Sequence, residues 1–188
     1  MSASIASGTA TVGVAFFQTA LGVCGVAWNQ RGIAGLQLPE ASAAATRKRL
    51  RSRFPELRET PPPVPVQHAC DAIVALLGGG KPDLSPIALD MAGVPEFDRR
   101  VYEIARAVPA GATTTYGAIA ETLGEPGAAR AVGQALGRNP FPIVVPCHRV
   151  LASGGSLGGF SAGGGVATKL KMLAIEGAEA ASQRSLFD

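Results

Sequence analysis

Three prolines within seven residues limit what residues 138–150 can form. The segment reads Arg-Asn-Pro-Phe-Pro-Ile-Val-Val-Pro-Cys-His-Arg-Val, with prolines at positions 140, 142 and 146. Proline fixes its own φ and lacks a backbone donor, so regular helix or central strand is disfavoured through this stretch. We therefore expect a stiff frame that presents Cys147 and His148 together.

Cys147 stands directly before two groups that favour its thiolate, His148 and Arg149. A neighbouring base or positive charge is what turns a cysteine into a useful nucleophile. A lone cysteine is more commonly buried and inert, and Cys70 fits that description. We interpret Cys147 as the candidate nucleophile.

Composition sets broad bounds on the fold and the partner. The chain has 188 residues, 47% of them hydrophobic and 16% charged, which excludes a disordered or fibrous protein. This is enough for one large domain or two small ones. A net charge of +3 with a pI of about 9.0 permits an anionic partner without establishing one. Three cysteines without a C-x-x-C pair favour a reduced, intracellular compartment.

The uncharged N-terminal region has two interpretations. Residues 11–28 are apolar enough to raise a signal segment or a membrane span. No Lys or Arg precedes them, however, and Gln18, Thr19 and several glycines interrupt them. Alternating apolar residues around Leu21-Gly22 favour a hairpin. We predict strands over 13–19, 22–28 and 32–38, and a soluble protein without a membrane partner.

The rest of the first half predicts two helices separated by a stiff connector, Thr60-Pro-Pro-Pro-Val-Pro. A helix over 42–54 carries a basic run, which we interpret as a solvated face, with a nucleic-acid patch as the alternative. A second helix over 66–77 places His68 outward and a buried stripe inward. The predicted buried stripe of this second helix consists of Cys70, Ile73, Val74 and Leu77. A domain boundary is expected near Asp90.

The second half predicts a helix-turn-helix. After a helix over 96–108, Thr114 or Thr115 is placed to cap a short helix whose inner face begins at Tyr116. Pro126 is suited to open the next helix, over 127–136. Two short helices joined by so brief a turn are typical of this motif.

The second of these helices has an unusual exposed face, made of Arg130, Gly133, Gln134 and Gly137. Small side chains let a helix axis approach another backbone closely, which suits a nucleic-acid groove. Tight packing inside the protein is the alternative. Between Glu125 and Glu176 there is no acidic residue but five basic ones, a concentration that a phosphate-binding face requires.

The motif Pro146-Cys147-His148-Arg149-Val150, preceded by Asn139-Pro-Phe-Pro-Ile-Val-Val, resembles the active-site signature of the O6-alkylguanine-DNA alkyltransferases. The resemblance is dense over residues 90–178 and loose before them. Further matches, in the family's order, are residues 97–108, Thr115-Tyr116-Gly117, Ala128-Ala-Arg-Ala-Val-Gly133, Ser161 and Ile175-Glu-Gly177.

The resemblance implies an α+β fold in two parts. Residues 1–90 would form a ribonuclease-H-like unit, a small antiparallel sheet with helices. Residues 91–178 would form a mostly helical, winged-helix-like unit for DNA binding and alkyl transfer, followed by a tail over 179–188.

The resemblance also implies the partner, double-stranded DNA that contains an alkylated guanine. The helix-turn-helix would enter the minor groove, and Arg130 would replace the extruded base in the stack. A monomer is expected, and cooperative binding along DNA stays open. The other implied DNA-binding residues are Thr115, Ala129, Gly133, Gln134 and Arg138.

The implied chemistry is an SN2 attack by the Cys147 thiolate on the alkyl carbon. His148 would act as the base through a bridging water, oriented by Glu176. Tyr116 would donate a proton or hydrogen bond to the departing guanine, and Asn139 would tie the recognition helix to the active-site loop. The implied substrate-binding residues are Tyr116, Val150, Phe160, Ser161 and Lys169.

A thioether is not hydrolysed, so the family chemistry implies one transfer per molecule and needs no metal or organic cofactor. Phe160 stands where many relatives have tyrosine, and the glycine run 163–165 is longer than in some. These departures leave the shape of the pocket wall open.

Two other functions are alternatives. A non-enzymatic lesion-binding protein is opposed by the presence of Cys147. A transcription regulator is opposed by the exposed helix face, which offers few groups that could read bases. A cysteine hydrolase is disfavoured because adjacent Cys147 and His148 cannot meet directly in one hydrogen bond.

Overall fold

A computed structural model describes residues 13–56 and 58–178 of the chain. The predicted tail over 179–188 and the first residues of the apolar N-terminal stretch lie outside the described residues. The described chain has an α+β fold with a small antiparallel sheet and six α-helices, so the fold class is confirmed at that level. Within the described residues, every helix is too short or too polar to cross a membrane.

The first half begins with a three-stranded antiparallel sheet in the order β1-β2-β3. Strand β1 is Gly13–Thr19, β2 is Gly22–Asn29 and β3 is Gly32–Gln37. Gly22 and Gly32 begin the second and third strands with φ of 122° and 135°, a region that glycine adopts without strain. The described part of the predicted hairpin is therefore present, with strand ends within one residue of the prediction.

Two helices accompany the sheet, α1 over Ala43–Arg53 and α2 over Val64–Leu77. Helix α1 begins after Ser42, whose side chain accepts a hydrogen bond from the Ala45 amide at 3.1 Å. The helix buries Thr46 and Leu50, and its remaining residues are exposed or half-buried.

The predicted stripe on α2 is wrong at Val74, whose exposed fraction is 38%. The buried arc is centred on Ile73, and successive helix residues are turned by about 100°, which places Val74 beyond its edge. Cys70 is buried and His68 is exposed, as predicted. The complete buried set is Val66, Ala69, Cys70, Ile73, Leu76 and Leu77.

The second half contains four helices and a short parallel strand pair. Helix α3 is Glu96–Arg106, α4 is Tyr116–Thr122, α5 is Ala129–Gly137 and α6 is Gly165–Ile175. Strand β4, Thr114–Thr115, pairs with β5, Val150–Leu151. Helix α3 ends two residues before the predicted end, and α5 begins two residues after the predicted start. Pro126 lies in the preceding turn instead of opening α5.

Helices α4 and α5 pack against each other as a helix-turn-helix requires. The Thr115 side chain caps α4 by accepting from the Ala118 amide at 3.1 Å, as predicted. Helix α3 supports α5, because the buried Tyr102 hydroxyl donates to the Ala135 carbonyl at 2.9 Å. One hydrophobic cluster joins residues of both halves, including Trp28, Leu36, Val101 and Val145. The domain boundary near residue 90 stays a prediction.

Ile73 and Val74 provide a direct test of which face of α2 is buried. We expect Ile73→Ala to lower the free energy of unfolding by about 3 kcal/mol, because it leaves a cavity in the core. Val74→Ala removes a partly exposed side chain, so the loss should stay within about 1 kcal/mol. Urea denaturation measures both; equal losses would contradict the observed burial.

Candidate active site

The loop before Cys147 is fixed by its own hydrogen bonds. The Asn139 side chain accepts from the Phe141 amide and donates to the Val145 carbonyl, both at 2.9 Å. Ile143 has a φ of 77°, an uncommon conformation for a β-branched residue. The first half of the chain also holds the loop, since the Leu36 amide donates to the Pro140 carbonyl at 2.9 Å.

Cys147 begins a single 3-10 turn, Cys147–Arg149, at the end of this loop. Cys147 is partly exposed, whereas Cys24 and Cys70 are buried. Burial raises the pKa of the Cys147 thiol, and the side chain of Asn139 and the positive charge of Lys169 oppose that rise. Burial raises the pKa of Cys24 to about 11 and that of Cys70 to about 12. Cys147 thus combines access with groups that stabilise a thiolate.

Glu176 joins His148 and Arg149 in one buried network. Glu176 Oε1 accepts from His148 Nε2 at 2.9 Å and from Arg149 Nη2 at 2.8 Å, and Oε2 accepts from Arg149 Nε at 2.9 Å. Burial alone would raise the pKa of Glu176, but these hydrogen bonds outweigh it and hold the pKa at about 2. The carboxylate is therefore ionised at neutral pH.

The network fixes which nitrogen of His148 can accept a proton. Burial lowers the pKa of His148 although Glu176 opposes this, so the imidazole is neutral. With Nε2–H donating to the carboxylate, the lone pair lies on Nδ1. This atom is buried and has no hydrogen-bond partner among the described residues. Nδ1 is thus the nitrogen of His148 that can accept a proton.

Lys169 places a buried ammonium group near Cys147. Its Nζ donates to the Val150 carbonyl at 2.7 Å and to the Leu157 carbonyl at 2.6 Å. Burial lowers the pKa of Lys169 to about 8, and the charge of Cys147 opposes the shift. Lys169 therefore fixes two backbone segments and adds positive potential at the thiol.

A cavity of about 600 Å³ brings several predicted residues together beside Cys147. Tyr116 lies in its lining, and burial followed by the nearby Cys147 raises the pKa of its hydroxyl. The Ser161 hydroxyl donates to the Gly137 carbonyl at 3.3 Å. Other predicted residues in the lining are Ala129, Arg130, Gly133, Gln134 and Phe160.

Besides the residues of the networks described above, three predicted residues lie outside this lining. Thr115 caps α4, and Val150 is buried in β5, where its carbonyl accepts from Lys169. Arg138 makes a two-point ion pair with the buried Asp98, through Nε at 3.1 Å and Nη2 at 2.9 Å.

The positive segment does not form the concentrated phosphate-binding face that counting charges predicts. Arg138 and Arg149 are paired with carboxylates, and Lys169 is buried against carbonyls. Arg130 and Lys171 remain exposed, with no acidic partner among the described residues. Charge counting alone does not register such pairing with residues that are distant in the chain.

Sequence reasoning missed two supporting residues. Asp98 carries no signal beyond an acidic residue in the first turn of a helix. Arg53 was assigned to a solvated basic face, yet its guanidinium donates to the Leu36 carbonyl at 2.8 Å and the Pro140 carbonyl at 3.4 Å. Within the described ranges, no group of three His, Cys, Asp or Glu side chains is placed to hold a metal ion.

These features define a helix-turn-helix protein with a cysteine–histidine–glutamate site at the base of its second helix. Comparison with known proteins agrees. Residues 96–178 match the family model described as 6-O-methylguanine DNA methyltransferase, DNA binding domain.

A methylated-DNA–protein-cysteine methyltransferase of Methanothermobacter thermautotrophicus is 35% identical, over 81% of this chain and 78% of that protein. A Mycobacterium bovis protein of the same name is 41% identical, over 69% and 76%. The crystal structure of Mycobacterium tuberculosis OGT in complex with DNA superposes with a TM-score of 0.70 at 32% identity, covering 94% of this chain and 100% of that one. The chain belongs to the methylated-DNA–protein-cysteine methyltransferase family, which confirms the resemblance found in its sequence.

Glu176 gives a prediction for stability against pH. Its folded pKa of about 2 lies below the ordinary value of 4.5, so its stabilisation is present above pH 4.5 and is lost as pH falls toward 2. We expect the difference in unfolding free energy between wild type and Glu176→Gln to shrink by about 3 kcal/mol across that window. Urea titrations at each pH measure it. A constant difference would contradict the ionised network.

Proposed function

We propose that this protein repairs DNA by transferring the alkyl group of an O6-alkylguanine irreversibly to its own Cys147. Relatives across the family are named for transfer to a protein cysteine, and one solved relative is a complex with DNA. The observation that carries the proposal is the position of Cys147. It lies in the wall of a cavity under α5, beside a base oriented by a buried carboxylate.

The duplex is bound through the exposed face of α5. Gly133 and Gly137 present little bulk there, so the helix can approach the backbone closely in a minor groove. Arg130 occupies the stack in place of the extruded guanine, which must leave the duplex because its alkylated oxygen is otherwise out of reach. Ala129 and Gln134 contact the backbone on either side. With few unpaired cations, close fit contributes more to this interface than net charge.

The transfer begins when the Cys147 thiol gives its proton to Nδ1 of His148 through a bridging water. The imidazolium that forms is stabilised by Glu176, as in other nucleophile–histidine–carboxylate sites. The thiolate attacks the alkyl carbon, forming an S–C bond while the bond from carbon to guanine O6 breaks. The electron pair passes to guanine.

Guanine leaves poorly as an anion, so a proton donor assists its departure. Tyr116 supplies this proton or hydrogen bond from the same cavity; its raised pKa keeps the hydroxyl protonated at neutral pH. Asn139 and Lys169 stabilise the thiolate before attack. Ser161 and Phe160 contact the base, and Lys169 fixes the Val150 and Leu157 carbonyls behind the site.

A thioether is not hydrolysed under physiological conditions, so each molecule reacts once. We further propose that the sheet half is ribonuclease-H-like and that the helical half is winged-helix-like. The strand pair β4–β5 beside the helix-turn-helix supports the winged-helix assignment.

The three free cysteines support an intracellular location, in the cytoplasm or in a eukaryotic nucleus. Thr115 and Arg138 are proposed at the margin of the DNA interface, and the protein is proposed to act as a monomer.

Cys147→Ser should abolish alkyl transfer while leaving lesion binding intact, because a neutral hydroxyl is a far weaker nucleophile than a thiolate. The measurement is peptide mass spectrometry after incubation with a duplex that carries one O6-methylguanine. Wild type should gain one methyl group, on the peptide that contains Cys147, and no more. Cys70→Ala is the matched control and should still react. Tight binding by wild type without a mass change would identify a lesion-recognition protein instead.

Arg130→Ala should slow transfer from duplex DNA by tenfold or more, about 1.4 kcal/mol of lost stabilisation of the extruded state. Transfer from free O6-benzylguanine needs no extrusion and should slow much less. Single-turnover rates with both substrates measure the difference, and Lys171→Ala, which changes an exposed side chain on α6, is the control. Equal slowing with both substrates would show that Arg130 does not act in the extrusion step.

A further inference from the structure

A second cavity, of about 280 Å³, borders the loop that precedes Cys147. Ile143 and Val144 of that loop form part of its wall, and Arg149 lines it from the turn that begins at Cys147. Its lining shares no described residue with the cavity beside Cys147. The proposed function therefore gives this second cavity no role.

Two arginines that line the second cavity, Arg106 and Arg149, keep N–H donors available. Arg149 is 6% exposed, and its hydrogen bonds to Glu176 and to the Val108 carbonyl use three of its five N–H groups. Arg106 donates through Nη2 to three backbone carbonyls within residues 84–87, and its Nε and Nη1 have no such contact among the described residues. Because a buried donor without an acceptor is costly, both side chains favour a ligand that accepts hydrogen bonds.

Positive charge exceeds negative charge in the lining. Lys81, Arg106 and Arg149 contribute three cations, and Lys81 is exposed with no acidic partner in the described part of the chain. Asp83 contributes one carboxylate, which already accepts two hydrogen bonds, at 2.8 and 2.9 Å. Arg149 is balanced by Glu176, which leaves two cations against Asp83. The lining therefore favours an anion.

The surroundings of Arg106 agree with this charge balance. Burial lowers the pKa of Arg106, and the carboxylates of Asp83 and Glu103 oppose that shift without cancelling it. Glu103 is exposed and lies outside the lining, so water and salt screen its effect. A further anion at Arg106 would stabilise the guanidinium group through charge-assisted hydrogen bonds.

Much of the remaining wall is apolar, and the cavity is small. Val108, Pro109 and Ile143 are among the residues that line it. Pockets that hold drug-sized ligands measure roughly 300–1,000 Å³, so this one suits a compact molecule. An anionic group against the guanidinium groups, with a short apolar body against these side chains, matches the lining.

Arg149 connects the second cavity to the reactive site. Burial is the main cause that lowers the pKa of His148; Glu176 opposes it, and the charges of Arg149 and Lys169 lower the pKa further. A carboxylate bound at Arg149 offsets part of that guanidinium charge, so the pKa of His148 rises. His148 then accepts the proton of the Cys147 thiol more readily, and the reactive thiolate becomes more populated.

We propose that the second cavity is an effector site for a small carboxylate with an apolar body, and that its occupancy accelerates alkyl transfer. Binding is independent of the proposed function, whereas the acceleration rests on it. The carboxylate lies against Arg106 and Arg149 with Lys81 at the rim, and the apolar body packs on Val108 and Ile143. The effector takes part in no covalent step and is not consumed.

Benzoate is the probe, and isothermal titration calorimetry measures its binding to the wild-type protein. We expect one benzoate per molecule. Benzamide has the same ring without the charge, and acetate has the charge without the ring, so each should bind at least about fivefold more weakly. Equal binding by either analogue would overturn the proposal, because the cations or the apolar wall would then contribute nothing.

Lys81→Gln removes one of the cations and leaves the hydrogen bonds of Arg106 in place. It should weaken benzoate binding by about threefold, within the range of a partly exposed ion pair. Arg99→Gln is the matched control: Arg99 lies on the same helix as Arg106, is exposed and does not line the cavity, so benzoate affinity should be unchanged. Unchanged affinity in Lys81→Gln would place benzoate elsewhere and overturn the proposal.

Single-turnover transfer from an O6-methylguanine duplex tests the acceleration. Saturating benzoate should speed the reaction about threefold relative to acetate at the same concentration, which matches the ionic strength. This corresponds to a rise of about half a unit in the pKa of His148. Bound benzoate that leaves the rate unchanged or lowers it would overturn the proposal. A duplex that fails to react even without benzoate would refute the proposed function, while calorimetry would still test binding to the cavity.

Discussion

The buried carboxylate of Glu176 organises the reactive half of the molecule. It holds His148 and Arg149, and Arg149 in turn donates to the Val108 carbonyl at 2.6 Å. The end of α6, the turn that carries Cys147 and the segment after α3 are thereby tied together. A buried charge of this kind is costly unless every oxygen is satisfied, and here both oxygens accept from charged or aromatic N–H donors. The same contacts that stabilise the fold leave Nδ1 as the basic atom of His148.

Local sequence signals were sufficient for much of the architecture. Gly22 and Gly32 mark turns because few other residues adopt their backbone angles, and Ser42 and Thr115 mark helix starts because their side chains accept amide hydrogen bonds. Cys147 and His148 could be found from their neighbours. Each of these signals acts over a few residues, which is the range that a sequence pattern describes well.

What the sequence did not reveal depends on residues far apart in the chain. Asp98 pairs with Arg138 across 40 positions, and Arg53 reaches Pro140 across 87. Glu176 could be selected from the family resemblance but not from spacing, because an acidic residue before a glycine is ordinary at a helix end. Counting basic residues predicted a charged face, whereas most of those residues pair with carboxylates or carbonyls of the same chain. The prediction for Val74 was wrong for a smaller reason: the predicted buried face of α2 was one residue too wide.

The Pro140 carbonyl accepts from the Leu36 amide and from Arg53, so strand β3 and helix α1 hold the loop that carries the nucleophile. These contacts come from the half of the chain where the family resemblance is loose, and they act on the half where it is dense. Variation in the first half can therefore shift the position of the loop, and with it the reactivity of the thiol, while the signature around Cys147 stays intact. Relatives with identical signatures need not share a rate or a range of lesions, and the first half is where evolution can tune both.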